Sequence, residues 1–275
     1  MKVRPRYNTL VPTDYGLMIV NSNDWAEAPD GTRYGIGYDL THTGCYQQGE
    51  LDSLAMLVRT CPPDPVLVDV GANIGVHSLW FAGLAGSGVV HAFEAQRVVF
   101  QALMGNLALN SIENVFAHQV ALGAAPGRLR LQPVDYAQPW NFGGMGLIDE
   151  SPDPQFAHGT PERAAADRGE EVEVVTLDSF ALDRVDLIKI DVEGMEEDVL
   201  RGGAATIERH RPLMQLEWLG RDGGSLPRHL LGEIDYRVYQ SGLNLLCVPA
   251  ERTDFFIAGA QEISLQRLLA QFPAP

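Results

Sequence analysis

Short apolar runs separated by polar turns recur along the chain, and their spacing predicts most of the architecture. Val66–Val70, Val89–Phe93, Val115–Val120, Leu187–Ile190 and Leu213–Leu216 are largely apolar, as strands buried on both faces of a parallel sheet are. Between them, Val76–Leu84, Val98–Leu109 and Met195–His210 place apolar residues at helical spacing. This alternation predicts an α/β fold: a Rossmann-like, mostly parallel sheet with helices on both faces. Tyr236–Tyr239 and Leu243–Val248 read as a closing antiparallel pair.

Upstream, Gly16–Val20 is strand-like and Asn21–Gly37 is rich in turn formers. Gln47–Arg59 carries Leu51, Leu54, Ala55 and Val58 on one helical face before Cys61-Pro62-Pro63 ends it. Residues 1–62 are therefore expected to form a small strand-and-helix extension packed on a core at 63–275. One stretch breaks the rhythm. Arg128–Gln132 and Glu171–Val175 alternate like strands, and the Pro-, Gly-, Asp- and Ala-rich 133–170 between them predicts a long insertion loop facing the substrate.

Composition narrows the function. No apolar run approaches the roughly 18–20 residues that span a bilayer, and the basic Met1–Arg6 start is not followed by a signal core. A cytoplasmic protein with no membrane span is expected. A formal charge of -16 argues against a nucleic-acid partner, because phosphate contacts need clustered Lys and Arg. Cys45, Cys61 and Cys247 match neither a zinc spacing nor a disulfide framework, and are read as reduced.

Candidate chemistry starts at Asp69-Val70-Gly71-Ala72-Asn73-Ile74-Gly75, which runs from a buried strand into a helix. Glycines there allow close approach of a ligand, and amide N–H groups at a helix start favour an anionic group. A dinucleotide fingerprint would read Gly-x-Gly-x-x-Gly. Counted from Gly71, its later glycine positions hold Asn73 and Val76, so the nicotinamide reading fails at both. Glu94 ends the next strand 23 residues on, where such folds place an acid on a ribose, and a carboxylate accepts both protons of a diol. Asp191 and Glu193 lie two residues apart at a later strand end, and Glu217 ends the strand after that. Carboxylates converging on one rim are costly without partners and point to function.

Taken in order, Asp69–Gly75, Ala92-Phe93-Glu94, Val175-Thr176-Leu177-Asp178 and Leu187-Ile188-Lys189-Ile190-Asp191-Val192-Glu193-Gly194-Met195-Glu196 resemble the FkbM methyltransferases. The Gly16–Glu50 region, with Tyr46 and Glu50, and Asn141-Phe142-Gly143-Gly144 resemble one branch of that family. The likeness runs from about residue 15 to 250. It departs at Ala95, where many members have Pro. The resemblance implies a class I methyltransferase sheet of seven strands with the last antiparallel, S-adenosyl-L-methionine as cofactor, and methyl transfer to a hydroxyl of a small molecule, sugar or secondary metabolite. It further implies that Gly71, Ala72, Asn73 and Gly75 line the methionine moiety beside Asp69, and that Glu94 with Ala95 holds the ribose. Gln119, Val120 and Ala121 would border the adenine.

At the reaction end, Asp191, Glu193 and Glu217 are the candidates for holding the cofactor's positive charge and for accepting the hydroxyl proton. A divalent metal shared by Asp191 and Glu217 would suit carboxylates, but the ligand set is incomplete and no metal is assigned. His77 reads as a structural histidine, and Glu196, Glu197 and Asp198 as a solvated first helical turn. Trp140 and Phe142 either cap an apolar substrate or anchor their loop. The alternatives are methyl transfer to nitrogen and a catalytically silent cofactor-binding scaffold.

Overall fold

The computed structural model describes residues 7–131, 133–144, 169–218, 225–252 and 261–264. The chain begins with an antiparallel hairpin, β1 (Asn8–Thr13) and β2 (Gly16–Asn21). A two-residue pair follows, β3 (Ala26–Glu27) and β4 (Arg33–Tyr34), then helices α1 (Ile36–Thr43) and α2 (Gln48–Val58). The alternating unit comes next: β5 (Val66–Val70), α3 (Val76–Ala85), β6 (Val89–Phe93), α4 (Arg97–Leu109) and β7 (Val115–His118). A side sheet of β8 (Ala121–Leu122), β9 (Gly127–Leu131) and β10 (Glu170–Val175) interrupts it. The alternation resumes with β11 (Leu187–Ile190), α5 (Glu196–Gly202), α6 (Ala204–His210) and β12 (Leu213–Glu217). The last described elements are α7 (Ser225–Arg228), a π-helical turn at His229–Glu233, β13 (Tyr236–Ser241), β14 (Asn244–Pro249) and β15 (Gln261–Ile263).

The main sheet runs β15-β13-β14-β12-β11-β5-β6-β7. Strands β7, β6, β5, β11 and β12 are parallel, and β14 lies antiparallel between β12 and β13. The expected α/β, mostly parallel sheet is therefore present. Its seven strands gain an eighth, the three-residue β15, too short to leave a periodic signal in the sequence. From β5 the chain steps outward to β6 and β7, then returns to β11 on the other side of β5. That reversal opens a crevice beyond the carboxyl ends of β5 and β11, where open α/β sheets bind ligands.

Helices cover both faces. Leu54, Leu57 and Phe81 from α2 and α3 pack on Leu67, Leu187, Leu213 and Leu246, while Val199, Leu200, Ile207 and Leu230 pack on Val68, Ile188 and Met214 opposite. The N-terminal hairpin joins α4 by side-chain mimicry of a neighbouring strand. Asn106 and Asn110, one helical turn apart, bond the backbone N–H and C=O of Ile19 and Leu17. A four-residue helical step of ~6 Å nearly matches a two-residue strand step of ~6.6 Å, so both amides fit.

Several expectations are corrected. The single helix expected over Met195–His210 is broken at Gly203 into α5 and α6, where two consecutive glycines are poor helix formers; a Cβ on Gly202 would lie 2.0 Å from the Gly123 carbonyl oxygen. The third strand stops at His118 and leaves Gln119 and Val120 in a loop. The turn-rich 21–37 stretch holds the small β3–β4 pair, and β1 and α1 were not anticipated. Of the 133–170 insertion, residues 145–168 lie outside the described residues. Among the described residues no helix is long and apolar enough to cross a membrane.

Candidate functional site

At the mouth of that crevice, the turn after β5 needs left-handed backbone at three positions: Gly71 at φ 78°, Asn73 at φ 51° and Gly75 at φ 96°. Glycine adopts these without penalty, and asparagine is the side chain that tolerates them best. At Gly71 the space is also closed, since a Cβ would lie 1.7 Å from the Asp191 carbonyl oxygen. The turn after β5 and the end of β11 are thus in backbone contact.

The turn satisfies its own donors. The amides of Gly71 and Ala72 both donate to the Phe93 carbonyl, at 3.0 and 2.9 Å, and Gly75 N–H donates to the Ala72 carbonyl at 2.9 Å. Asn73 N–H donates to Glu94 Oε2 at 3.0 Å, and Ile74 N–H to Asn73 Oδ1 at 2.7 Å. The anion cradle expected from the glycines is therefore corrected for residues 71–75: their N–H groups are occupied within the protein. A phosphate would have to displace these bonds.

Glu94 is buried, and its Oε1 accepts from Gln96 N–H at 2.7 Å. Burial pushes its carboxyl up to about 7, against the opposing pull of those two amides and of Lys189. Each oxygen spends one lone pair on an amide and retains one for a ligand. Ala72 and Ala95 are buried beside it, Ala121 is buried in β8, Val120 is half-buried and Gln119 is exposed.

Asp69 is fully buried behind the turn and does not reach the crevice itself. Ser78 Oγ donates to its Oδ2 at 2.6 Å, and Lys189 Nζ lies 3.5 Å from Oδ1, close enough to pair charges but too long for a good hydrogen bond. Lys189 also stands 3.4 Å from Asp191 Oδ2 and donates to the Gly71 carbonyl at 3.2 Å. Burial alone would drive its proton off, but Asp191, Asp69 and Glu50 hold the ammonium above its ordinary range. This lysine links the sheet to the turn and the rim.

Asp191, Glu193 and Glu217 do meet at the rim, with one oxygen of each within 4.8 Å of the others. Strand alternation does not bring them together, since β11 ends at Ile190. Glu193 instead takes a left-handed φ of 55° with Gly194 at 109°, which turns the chain back over the strand end. Glu196 organises that turn by accepting from Val192 and Gly194 N–H at 3.3 and 3.1 Å. The solvated role expected for Glu196 is corrected accordingly; its carboxyl is raised by burial. Glu217 is pushed up to about 9 by burial and by the charges of Asp191, Glu193 and Glu196.

Residues 141–144 of the insertion lie beside this rim. Asp24 is buried and accepts from Gly37 and Phe142 N–H, both at 3.0 Å, which anchors this segment at Phe142. A Cβ on Gly143 would lie 3.4 Å from Asn73 Nδ2, and one on Gly144 3.7 Å from Glu193 Oε1. The Val175–Asp178 motif is structural: Thr176 caps a short 3-10 turn, and Asp178 accepts from Ala205 and Thr206 N–H at the start of α6. Glu50 of α2 lies 3.2 Å from His77 Nε2 in the first turn of α3, a long-range pairing that periodicity alone did not reveal.

The methyltransferase FkbM domain matches residues 69–241, and the chain belongs to this family. Methyltransferase 1 of Beauveria bassiana is 32% identical over 155 residues, covering 53% of this chain and 61% of that protein. The 2-O-methyltransferase NoeI of Sinorhizobium fredii is 26% identical over 156 residues, 54% of this chain and 61% of its own length. The hexuronic acid methyltransferase AglP of Haloferax volcanii is 28% identical over 159 residues, 56% of each. The chain thus spans 56% to 61% of the length of these relatives. A solved methyltransferase FkbM from Methylobacillus flagellatus shares 20% identity over 67% of this chain and 43% of that one, with a TM-score of 0.46.

Proposed function

We propose that this protein is an S-adenosyl-L-methionine-dependent methyltransferase acting in the cytoplasm on a hydroxyl of a sugar, secondary metabolite or other small molecule. The observation that carries the reading is the pairing of a self-satisfied glycine turn with a buried acid at its shoulder. A dinucleotide would need free amides for its pyrophosphate, whereas a nucleoside without phosphates needs a diol acceptor and room beside the backbone. Glu94 supplies the first with its remaining lone pairs, and Gly71 and Gly75 supply the second.

In this reading Gly71, Ala72, Asn73 and Gly75 border the methionine moiety, with Asp69 acting from behind through Lys189. Glu94 and Ala95 border the ribose, and Gln119, Val120 and Ala121 the adenine. S-adenosyl-L-methionine supplies a methyl group activated by a sulfonium charge. The acid-rich rim favours that charge, because Asp191 and Glu193 stand there and the nearby Lys189 is already shared between Asp69 and Asp191.

Transfer to a hydroxyl requires an aligned nucleophile and removal of its proton. Asp191 is held by Lys189, and Glu217 retains its proton at neutral pH. We assign the role of proton acceptor to Glu193, which shares the rim with Asp191 and Glu217. The name of the 2-O-methyltransferase relative supports a hydroxyl as the acceptor, and that of the hexuronic acid methyltransferase supports a sugar.

The test is incubation of the protein with methyl-labelled cofactor, a panel of sugars and polyols, and small-molecule extracts. Label in an alkali-stable methyl ether supports the proposal. Label on amines would move the assignment to nitrogen, and tight cofactor binding without transfer to any acceptor would favour a silent scaffold.

A further inference from the structure

The N-terminal segment sends one charged side chain into the buried base of the site. Glu50, on the first turn of α2, has only 11% of its side chain exposed. Its Oε1 accepts from Gln215 Nε2 at 2.8 Å and its Oε2 from Asn244 Nδ2 at 3.2 Å. The His77 Nε2 lies 3.2 Å from Oε1, within ion-pairing distance but off the line that a hydrogen bond prefers. One carboxylate therefore joins four elements: α2, the first turn of α3, β12 and β14.

Those partners are placed where the site is built. His77 is the second residue of α3, two positions after Gly75 closes the glycine turn. Gln215 is in register with Lys189, the ammonium that bridges Asp69, Asp191 and the Gly71 carbonyl. Asn244 is in register with Glu217 on the acidic rim. Glu50 thus braces the turn from one side and the rim from the other. Despite burial, its carboxyl is held below the usual range by His77, Lys189 and Asn244.

A purely structural contact would not need this chemistry. Burying a carboxylate costs several kcal/mol before its partners repay it, and apolar residues of similar size commonly serve stability better. The approach to Glu50 is strained as well. Gln47, which precedes α2, has a left-handed φ of 45°, and Tyr15 clamps the residue before it by accepting from Tyr46 N–H and donating to the Tyr46 carbonyl. Strain of this kind in a non-glycine residue persists only where surrounding structure enforces it.

We propose that Glu50 is a positioning residue for the cofactor cradle, which makes the N-terminal segment a working part of the site and not an appendage to it. The inference rests on the cofactor reading above. Its mechanism is indirect: Glu50 fixes His77 at the base of the glycine turn and fixes Gln215 beside Lys189, so the cradle is preformed before ligand arrives.

The test uses S-adenosylhomocysteine as the probe, with calorimetric affinity and thermal unfolding measured on the full chain. Glu50→Gln keeps the size of the side chain and one acceptor oxygen, so the variant is expected to unfold within a few degrees of the parent. Its affinity should fall about tenfold, the scale of one lost charged hydrogen bond. Asp186→Asn is the control. Asp186 is 12% exposed and accepts from Val66 N–H at the opposite end of β5, far from the crevice. It should lower the unfolding temperature and leave affinity unchanged.

Parental affinity in Glu50→Gln would overturn the proposal, whatever its unfolding temperature. If Glu50→Gln fails to fold, His77→Gln decides from the α3 side: weakened affinity in a folded variant supports the brace, and unchanged affinity overturns it. A parent protein that binds no S-adenosylhomocysteine would instead contradict the cofactor reading, a separate and recognisable result.

Discussion

Asn73 N–H donates to Glu94 Oε2 at 3.0 Å, so the glycine turn and the acid 21 residues away are one unit before any ligand binds. The bond also orients the carboxylate, leaving a lone pair on each oxygen directed elsewhere. Two consequences for pH follow from the same buried acid.

Burial raises Glu94 to about 7, and a diol that donates to its ionised form must pull that value down on binding. S-adenosylhomocysteine affinity should therefore rise as pH increases through 7 and then level off. Binding near pH 6 should release a proton, detectable as a dependence of the calorimetric enthalpy on buffer ionisation. Glu94→Gln should bind more weakly by about 1.5–3 kcal/mol and lose both signatures. A parent with flat affinity between pH 5.5 and 8 would remove Glu94 from the ligand.

Among the described residues, Lys189 is the cation that stands beside the fully buried Asp69. Lys189→Met leaves that carboxylate without a counter-charge, and breaking a buried pair from one side costs about 3–5 kcal/mol. Chemical denaturation should show a loss of that size, or a protein that does not fold. The double variant Lys189→Met, Asp69→Asn should recover much of the stability. Equal destabilisation in single and double variants would show that the charge pairing is not what matters.

Glu217 gives the sign of the rim's electrostatics. Its carboxyl is raised to about 9 in the fold from 4.5, so between those values the folded state binds more protons than the unfolded one. Stability from this group is therefore full below about 4.5 and lost as pH rises toward 9. Glu217→Gln should leave the unfolding temperature nearly unchanged at pH 5 and raise it relative to the parent at pH 8.5. A difference that shrinks with rising pH would mean that the rim carries less negative charge than its geometry implies.

Glu193 is the proposed proton acceptor. Glu193→Gln should retain cofactor affinity while losing roughly 10²–10⁴-fold in kcat, the usual contribution of a positioned base. Asp191→Asn should weaken cofactor binding as well, because it removes a charge from Lys189 and from the crevice. Both are read once an acceptor is in hand. Near-parental turnover by Glu193→Gln would transfer the role to another group on the rim.

Much of this was legible in the sequence because the signals were local. The apolar runs at 66–70, 89–93 and 187–190 marked parallel strands, and the glycine turn and Glu94 stood at their ends. What could not be read depends on distance or on backbone that no pattern encodes. Glu50 meets Gln215 across 165 residues and Asn244 across 194. Glu193 reaches the rim through a left-handed φ where strand alternation was expected. The helix divides at Gly203, next to a close contact of Gly202 with Gly123 that only three-dimensional packing reports. The glycines were read as exposing amides that favour an anionic group, yet here Gly71 serves close packing against Asp191 and the five amides are already used.

The most direct test of the account is calorimetric titration of the purified chain with S-adenosylmethionine, S-adenosylhomocysteine and NAD under one set of conditions. The self-satisfied turn and the diol acid predict saturable 1:1 binding of both adenosyl ligands and little or no heat from NAD. Saturable binding of NAD with no binding of either adenosyl ligand would contradict the account at its centre.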